Sequence, residues 1–533
     1  MNTARTWARF AWVAPIALVP LVFGGILVNG WVNWDDPLHV LENPWVAPPV
    51  SWRGLGELWS RPYRGLYVPV SYTVFALEAV FGRVVSGATT PVAVVFHGAS
   101  LLLHAACTGL VYRLLGRLGA TSWAAASGAA LFAVHPLQVE SVAWVSEQRG
   151  LLAALFSLLA LSLVVLREDE HVSPGHPWRE VGATGCFATA LLCKPSAVVV
   201  PALAVIIAVA AGTQSLSRRL GVMLGLWCVF AIATAVGTKM LQPVDHTVAG
   251  PWSLRPIIAG NAVAFYAEKV LLPWSLCIDY GLTPAAIAAA QFSAVKAIAV
   301  AAVVAAVAGI QALRPCRLPL SLFIVPILPV LGMVPFSFEA ISVVADRYAY
   351  LAMLGPAVGT AIAIDALQSR WLRGAVLASV AALAVISWAQ VPVWRDSLTL
   401  GTHALAINGG TRDTLNNLGL ALLDADRLTE AASCFERSIR HDPGFAKSRF
   451  NLGLACHRTG LVAEAERQYR AALQLAPDYK LAHNNLGILL GQTGRLTEAE
   501  EEFRAALAID PGFDEAAGNL ERLKAVEAAA GRD

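Results

Sequence analysis

Charge is scarce in this chain: Asp, Glu, Lys and Arg make up 14% of its 533 residues, against about 25% in a typical soluble domain. That shortage excludes an ordinary soluble fold for most of the length. Hydrophobic residues reach 56%, and the mean hydropathy is +0.58. A net charge of only +2 argues against nucleic acid as a partner. Cysteine is sparse and scattered: the eight residues show no zinc-ligand spacing and no disulfide framework. Cys107, Cys186, Cys193, Cys228 and Cys277 lie in or beside apolar runs and read as small buried hydrophobes. Also missing are a phosphate-cradling Gly-Lys-Ser/Thr loop, a dinucleotide fingerprint, a nucleophile elbow and a zinc-protease histidine pair. These absences exclude a nucleotide-driven cytoplasmic enzyme. Energy for any chemistry then arrives with a membrane-borne donor.

Apolar runs of about 20 residues, enough to cross a bilayer, recur as far as Trp394. The first, Phe10 to Gly30, follows Arg5 and Arg9 and reads as a retained span. Arginine pairs at 5/9, 113/117, 218/219, 314/317 and 370/373 mark cytoplasmic ends. A consistent solution has eleven spans: about 10–30, 90–112, 121–139, 148–166, 181–193, 195–212, 220–237, 293–312, 318–336, 348–366 and 374–391. Two further apolar stretches, Tyr67 to Gly82 and Pro256 to Trp274, then lie at the outer interface or dip in and return. Their polar groups (Glu78; Asn261, Glu268, Lys269) suit interfacial helices.

After Trp394 the pattern turns charged and repetitive. Asn417, Asn451 and Asn485 recur every 34 residues, as do Gly419, Gly453 and Gly487. Ala431, Ala465 and Ala499 keep the step, followed by Phe435, Tyr469 and Phe503, then Pro443, Pro477 and Pro511. This is the period and residue pattern of tetratricopeptide (TPR) repeats. Small Gly and Ala let two helices cross closely, the aromatic ring fills the gap, and Pro ends the second helix. Thr497-Glu498-Ala499-Glu500 reads as a capping box. The expected fold is all-α: a membrane domain (1–393), a half repeat (394–412), repeats at 413–446, 447–480 and 481–514, and a capping helix (515–533). An odd number of spans puts the repeats on the non-cytoplasmic side.

Under that topology the polar groups of interest collect on the outer face. Asp35 and Asp36 follow the first span directly, near His39, Glu42 and Asn43. Adjacent carboxylates suit a general base, because like charges raise one pKa; they equally suit a divalent cation or a solvated loop. His135-Pro136 ends the third span, and Glu147 and Arg149 open the fourth. A helical connection would put Glu140, Trp144 and Glu147 on one face. It reads equally as an ion-paired turn, Glu147 with Arg149. Arg149, Lys194 and Arg347 are three cations at the outer edge, suited to a lipid phosphate or diphosphate, or to plain headgroup anchoring.

Together these pieces resemble the transmembrane and TPR repeat-containing O-mannosyltransferases, polytopic glycosyltransferases of the GT-C class. The resemblance rests on Trp34-Asp35-Asp36 with Asn43, on His135-Pro136 through Glu140-Ser141-Val142-Ala143-Trp144-Val145-Ser146-Glu147 to Arg149, on Lys194-Pro195, and on Ala345-Asp346-Arg347-Tyr348 before Trp394 and the repeats. It implies transfer of a sugar, typically mannose, from a polyprenyl-phosphate carrier to a Ser or Thr hydroxyl on the non-cytoplasmic side. Asp35 or Asp36 would be the base. Arg149, Lys194 and Arg347 would hold the departing phosphate, and His135, Glu140, Glu147 and Tyr348 would shape the site. The TPR array would recruit an acceptor protein, with Asn417, Asn451 and Asn485 on the first helix of each repeat. A bias to Ala, Val, Arg and Gly points to a bacterial source, an inner membrane and undecaprenyl carriers. Two other functions fit the same residues: a ligase or polymerase using a lipid-diphosphate donor, and a non-catalytic TPR scaffold.

Overall fold

A computed structural model describes residues 10–47, 49–87, 89–165, 177–212, 218–242 and 251–530. Arg5 and Arg9 lie outside the described residues. Among the described residues no strand is present, and the fold is helical throughout. In a bilayer an apolar segment must satisfy its own backbone N–H and C=O groups, which a helix does.

The chain divides into two compact units, 1–396 and 397–533. In the first, a helix covers each of the eleven expected segments. Five are long and apolar enough to cross a membrane: Ala93–Arg117, Val145–Val164, Arg218–Leu241, Gln311–Val330 and Arg370–Trp394. Shorter apolar helices include Val13–Val28, Ser122–Val134, Pro195–Ala210, Ser293–Gly309 and Leu351–Ala366. Several ends fall short of the apolar run. Ser122–Val134 stops before His135, whose extended backbone (ψ 136°) is what a following proline imposes. The segment expected at 318–336 breaks near Pro326 and Gly332, which has φ +75°. Helices Pro69–Ser86 and Arg255–Leu271 occupy the two stretches assigned to the interface.

Close helix crossings use small residues, as membrane interfaces do. A Cβ on Gly355 would lie 2.7 Å from the Phe323 amide nitrogen, and one on Gly260 would lie 2.6 Å from Ala297 Cα. Trp371 and Trp388 are exposed near opposite ends of Arg370–Gln390, as in aromatic belts at membrane interfaces.

The second unit opens with Ser397–Asn408 and continues as helix pairs: Arg412–Asp424 with Leu428–His441, Ala446–Arg458 with Val462–Leu475, and Lys480–Gln492 with Leu496–Ile509. Asp514–Ala530 closes the array. As the repeat pattern requires, a Cβ on Gly453 would lie 2.7 Å from the Tyr469 ring, and one on Gly487 would lie 2.7 Å from Phe503. The expected capping box does not form. The helix starts at Leu496 with Arg495 at the N-cap, so Thr497 lies inside the first turn. Arg495 instead grips Glu498 through two bonds of 2.7 and 2.5 Å.

Candidate active site

The loop after the first helix folds back under the segment 135–149. Asp36 is 1% exposed. Its Oδ1 accepts from the Ser146 amide (3.0 Å) and hydroxyl (2.6 Å), and its Oδ2 accepts from the Val32 amide (3.1 Å). Burial pushes its carboxyl up to about 6, against the pull of these bonds. Asp35 differs: its side chain is 37% exposed, with Oδ2 3.8 Å from Arg149 Nη2. The adjacent carboxylates are thus unlike, one pinned and one open. Asp36 Oδ1 already accepts two bonds and Asp35 sits beside a guanidinium, so a divalent cation here would compete with them. Among the described residues no group of three or more His, Cys, Asp or Glu could hold one.

The connection from the third helix to the fourth is not one helix. It is a 3-10 turn (Pro136–Gln138), one helical turn (Val139–Ala143), extended Trp144, and a second 3-10 turn (Val145–Glu147). Glu140 and Glu147 therefore do not share a helical face, and each finds its own cation. Arg347 Nη1 donates to Glu140 Oε1 (2.5 Å) and the Arg347 amide donates to Oε2 (3.2 Å). Glu147 pairs with Lys194 rather than with Arg149. A Cβ at Gly150 would collide with the Glu147 carboxylate and lie 3.4 Å from Lys194 Nζ; glycine leaves room for that pair. Arg149 Nε donates to the Ser146 carbonyl (2.7 Å).

Each of the three cations thus faces one carboxylate. Arg347 is also enclosed by rings, with its Cζ 4.4 Å from Phe338, 5.0 Å from Tyr348 and 5.2 Å from Trp144. Lys194, Arg347 and Tyr348 line one cavity with Gly150 and Ser196. Its other walls are apolar: Ala153, Ala154, Ala197, Val199, Pro326, Val330 and Leu351, with Tyr350. Burial pulls the Lys194 ammonium below its ordinary value; Glu147 opposes this, while Arg347 and Arg149 add to it. An anion entering there would meet Lys194 and Arg347, each already paired with a carboxylate, beside apolar walls.

His135 is turned away from this chemistry. Its Nδ1 accepts from the Leu137 amide (3.2 Å), so its Nε2 carries the proton to the Val270 carbonyl (3.0 Å). It caps the turn and ties two segments together. Asn451 is buried in the repeat array, donating to Asn416 Oδ1 (2.9 Å). Asn485 donates to the Leu481 carbonyl of its own helix (3.0 Å), and Asn417 is half-buried beside Asn416. Reading the sequence missed Ser146 as the partner of Asp36, and also missed Tyr72, whose hydroxyl lies 2.8 Å from His39 Nδ1. Ser146 sits inside a singled-out segment, whereas nothing local marks Tyr72.

Residues 416–480 and 461–512 match the family described as Tetratricopeptide repeat; the C-terminal unit is a TPR array. More particularly, the chain is 33% identical over 175 residues to the protein O-mannosyl-transferase Tmtc2 of Drosophila melanogaster. That stretch is 31% of this chain and only 18% of the relative. Among solved structures, the first TPR of Spaghetti (RPAP3) bound to an HSP90 peptide is 23% identical, covering 22% of this chain and 93% of that one, with a TM-score of 0.22. YrrB, a TPR protein with an unusual peptide-binding site, is 19% identical, covering 30% of this chain and 88% of its own, with a TM-score of 0.23.

Proposed function

We propose that this chain is a membrane glycosyltransferase that moves a single sugar, mannose, from a polyprenyl-phosphate donor to a Ser or Thr hydroxyl of a protein. The carrying observation is the pairing of one open carboxylate, Asp35 against Arg149, with a cation-bearing, apolar-walled cavity at Lys194 and Arg347. The name of the Drosophila relative supports the same class of reaction.

In this reading Asp35 is the base, because its carboxylate is the accessible one. It takes the proton of the acceptor hydroxyl, whose oxygen attacks the anomeric carbon with inversion. The bond from that carbon to the phosphate oxygen breaks, and the polyprenyl phosphate leaves with the electron pair. Lys194, Arg347 and Arg149 stabilise the charge that develops on it. Glu147 and Glu140 hold two of those cations in place beforehand, which limits reorganisation during the reaction. The apolar walls take the first isoprene units. Asp36 positions the loop through Ser146. The TPR repeats recruit the acceptor polypeptide along the array, and the site works on the non-cytoplasmic face.

Changing Asp35 to Asn in the full-length protein should lower turnover by about 10²- to 10⁴-fold with an unchanged melting temperature. Asp36→Asn should instead destabilise the fold by roughly 1.5–3 kcal/mol, the worth of hydrogen bonds to a buried charge. Equal turnover in wild type and Asp35→Asn would refute the assignment. Transfer of a whole glycan from a lipid diphosphate would favour a ligase.

A further inference from the structure

The end of the last span is seated on the site, although nothing in the mechanism above uses it. Trp394 closes the segment Arg370–Trp394 and is 4% exposed. Its ring stacks on that of Trp144, with centroids 6.0 Å apart and planes at 28°, an offset aromatic pair. Trp144 is 2% exposed, and its ring centroid lies 5.2 Å from the Arg347 guanidinium carbon, within cation–π range. Two tryptophans and an arginine thus form one buried stack that ends on a cation lining the donor cavity. The Trp144 indole N–H finds no hydrogen-bond partner among the described residues. Packing therefore locates this ring, and Trp394 is part of that packing.

The same short segment is fastened to the acidic loop. The Gly30 amide donates to the Arg395 carbonyl (2.8 Å), and Asn29 Nδ2 donates to the Val391 carbonyl (3.5 Å). Two residues after Gly30 comes Val32, whose amide holds Asp36 Oδ2. Trp144 in turn stands two residues before Ser146, whose amide and hydroxyl hold Asp36 Oδ1. Resting on the transferase reading, we propose that Trp394 is a positioning residue for the donor: through Trp144 it holds the Arg347 guanidinium at the angle at which it meets the phosphate. Glu140 fixes one edge of that guanidinium, and the stack fixes its plane. A guanidinium presents its donors in a rigid planar fork, so a tilt loses phosphate contacts that a compact ammonium would keep. Phe338 and Tyr348 approach the same group, so removing Trp394 loosens the plane without releasing the cation.

The test uses the full-length protein with polyprenyl-phosphate mannose and a Ser/Thr peptide. Trp394→Leu removes the stacked ring and keeps apolar bulk; Trp394→Phe keeps an aromatic face; Arg347→Lys keeps the charge and loses the fork. Trp394→Leu should raise the donor KM by about 3- to 10-fold, the worth of one aromatic pair, and leave the peptide KM unchanged. Trp394→Phe should recover most of the donor affinity. In an Arg347→Lys background, Trp394→Leu should raise the donor KM no further. Trp144→Phe, which shrinks the middle ring, should show the same donor-specific rise with Arg347 present and none with Lys in its place. An unchanged donor KM in Trp394→Leu, a peptide KM that rises in step with it, or a full further rise in the Arg347→Lys background overturns the positioning role and leaves the transferase reading intact. A wild-type protein that transfers no sugar refutes that reading and the role with it.

Discussion

Two neighbouring aspartates show how little a residue's identity says about its work. Asp35 and Asp36 are alike in sequence, yet three hydrogen bonds pin one and solvent reaches the other. The sequence marked the pair as candidates and left the choice open, because the deciding partner, Ser146, is 110 positions away. The same distance problem hid Tyr72. The cations were legible as a trio, since lone arginines and a lysine at the ends of apolar runs stand out against the paired arginines elsewhere; their individual carboxylates were not. Gly150 was invisible too. Gly150→Ala should leave the melting temperature nearly unchanged, because the Glu147 carboxylate can swing aside. It should raise the donor KM at least about tenfold, the worth of one charge-assisted hydrogen bond. A steady-state titration of polyprenyl-phosphate mannose reads this out.

Helices were the most legible elements, because apolar runs in a membrane have few alternatives. Their ends were less so. The stretch 135–149 looked helical by spacing, but Pro136 and extended Trp144 divide it, and the division sends Glu140 and Glu147 to different cations. In the repeats, periodicity revealed the packing, while the cap at Thr497 failed because Arg495 grips Glu498 first. Gly453→Val should cost about 1–3 kcal/mol by forcing a side chain into the Tyr469 ring, visible in chemical denaturation of the C-terminal unit.

The third repeat also carries a pH-sensitive bond. His483 Nδ1 meets Glu502 Oε2 at 2.6 Å and its Nε2 meets the Pro477 carbonyl at 2.9 Å, so both nitrogens serve as donors when the ring is protonated. The Glu502 bond raises its pKa above the ordinary 6.5. A raised folded-state value means that the contribution is complete below about pH 6.5 and fades as pH climbs through the raised value. Hydrogen-exchange protection in Lys480–Gln492, taken relative to the intrinsic rate at each pH, should therefore fall above neutral pH, and His483→Gln should abolish that change in protection.

On the scale of the whole molecule, a unit with helices apolar enough to cross a membrane is joined in sequence to a TPR array. Composition alone divided the chain near Trp394, and the two compact units meet at residue 396. The proposed orientation puts the arginine pairs on the cytoplasmic side. A cysteine at the exposed position Arg61 should react with an impermeant maleimide from the non-cytoplasmic side, and one at exposed Arg314 only from within. Reversed labelling would turn the proposed site toward the cytosol.

The most direct test of the central claim is the intact mass of a Ser/Thr peptide incubated with purified full-length protein and polyprenyl-phosphate mannose. The account predicts addition of one hexose by the wild type and almost none by Asp35→Asn. No addition by the wild type, or equal addition by both proteins, would contradict it.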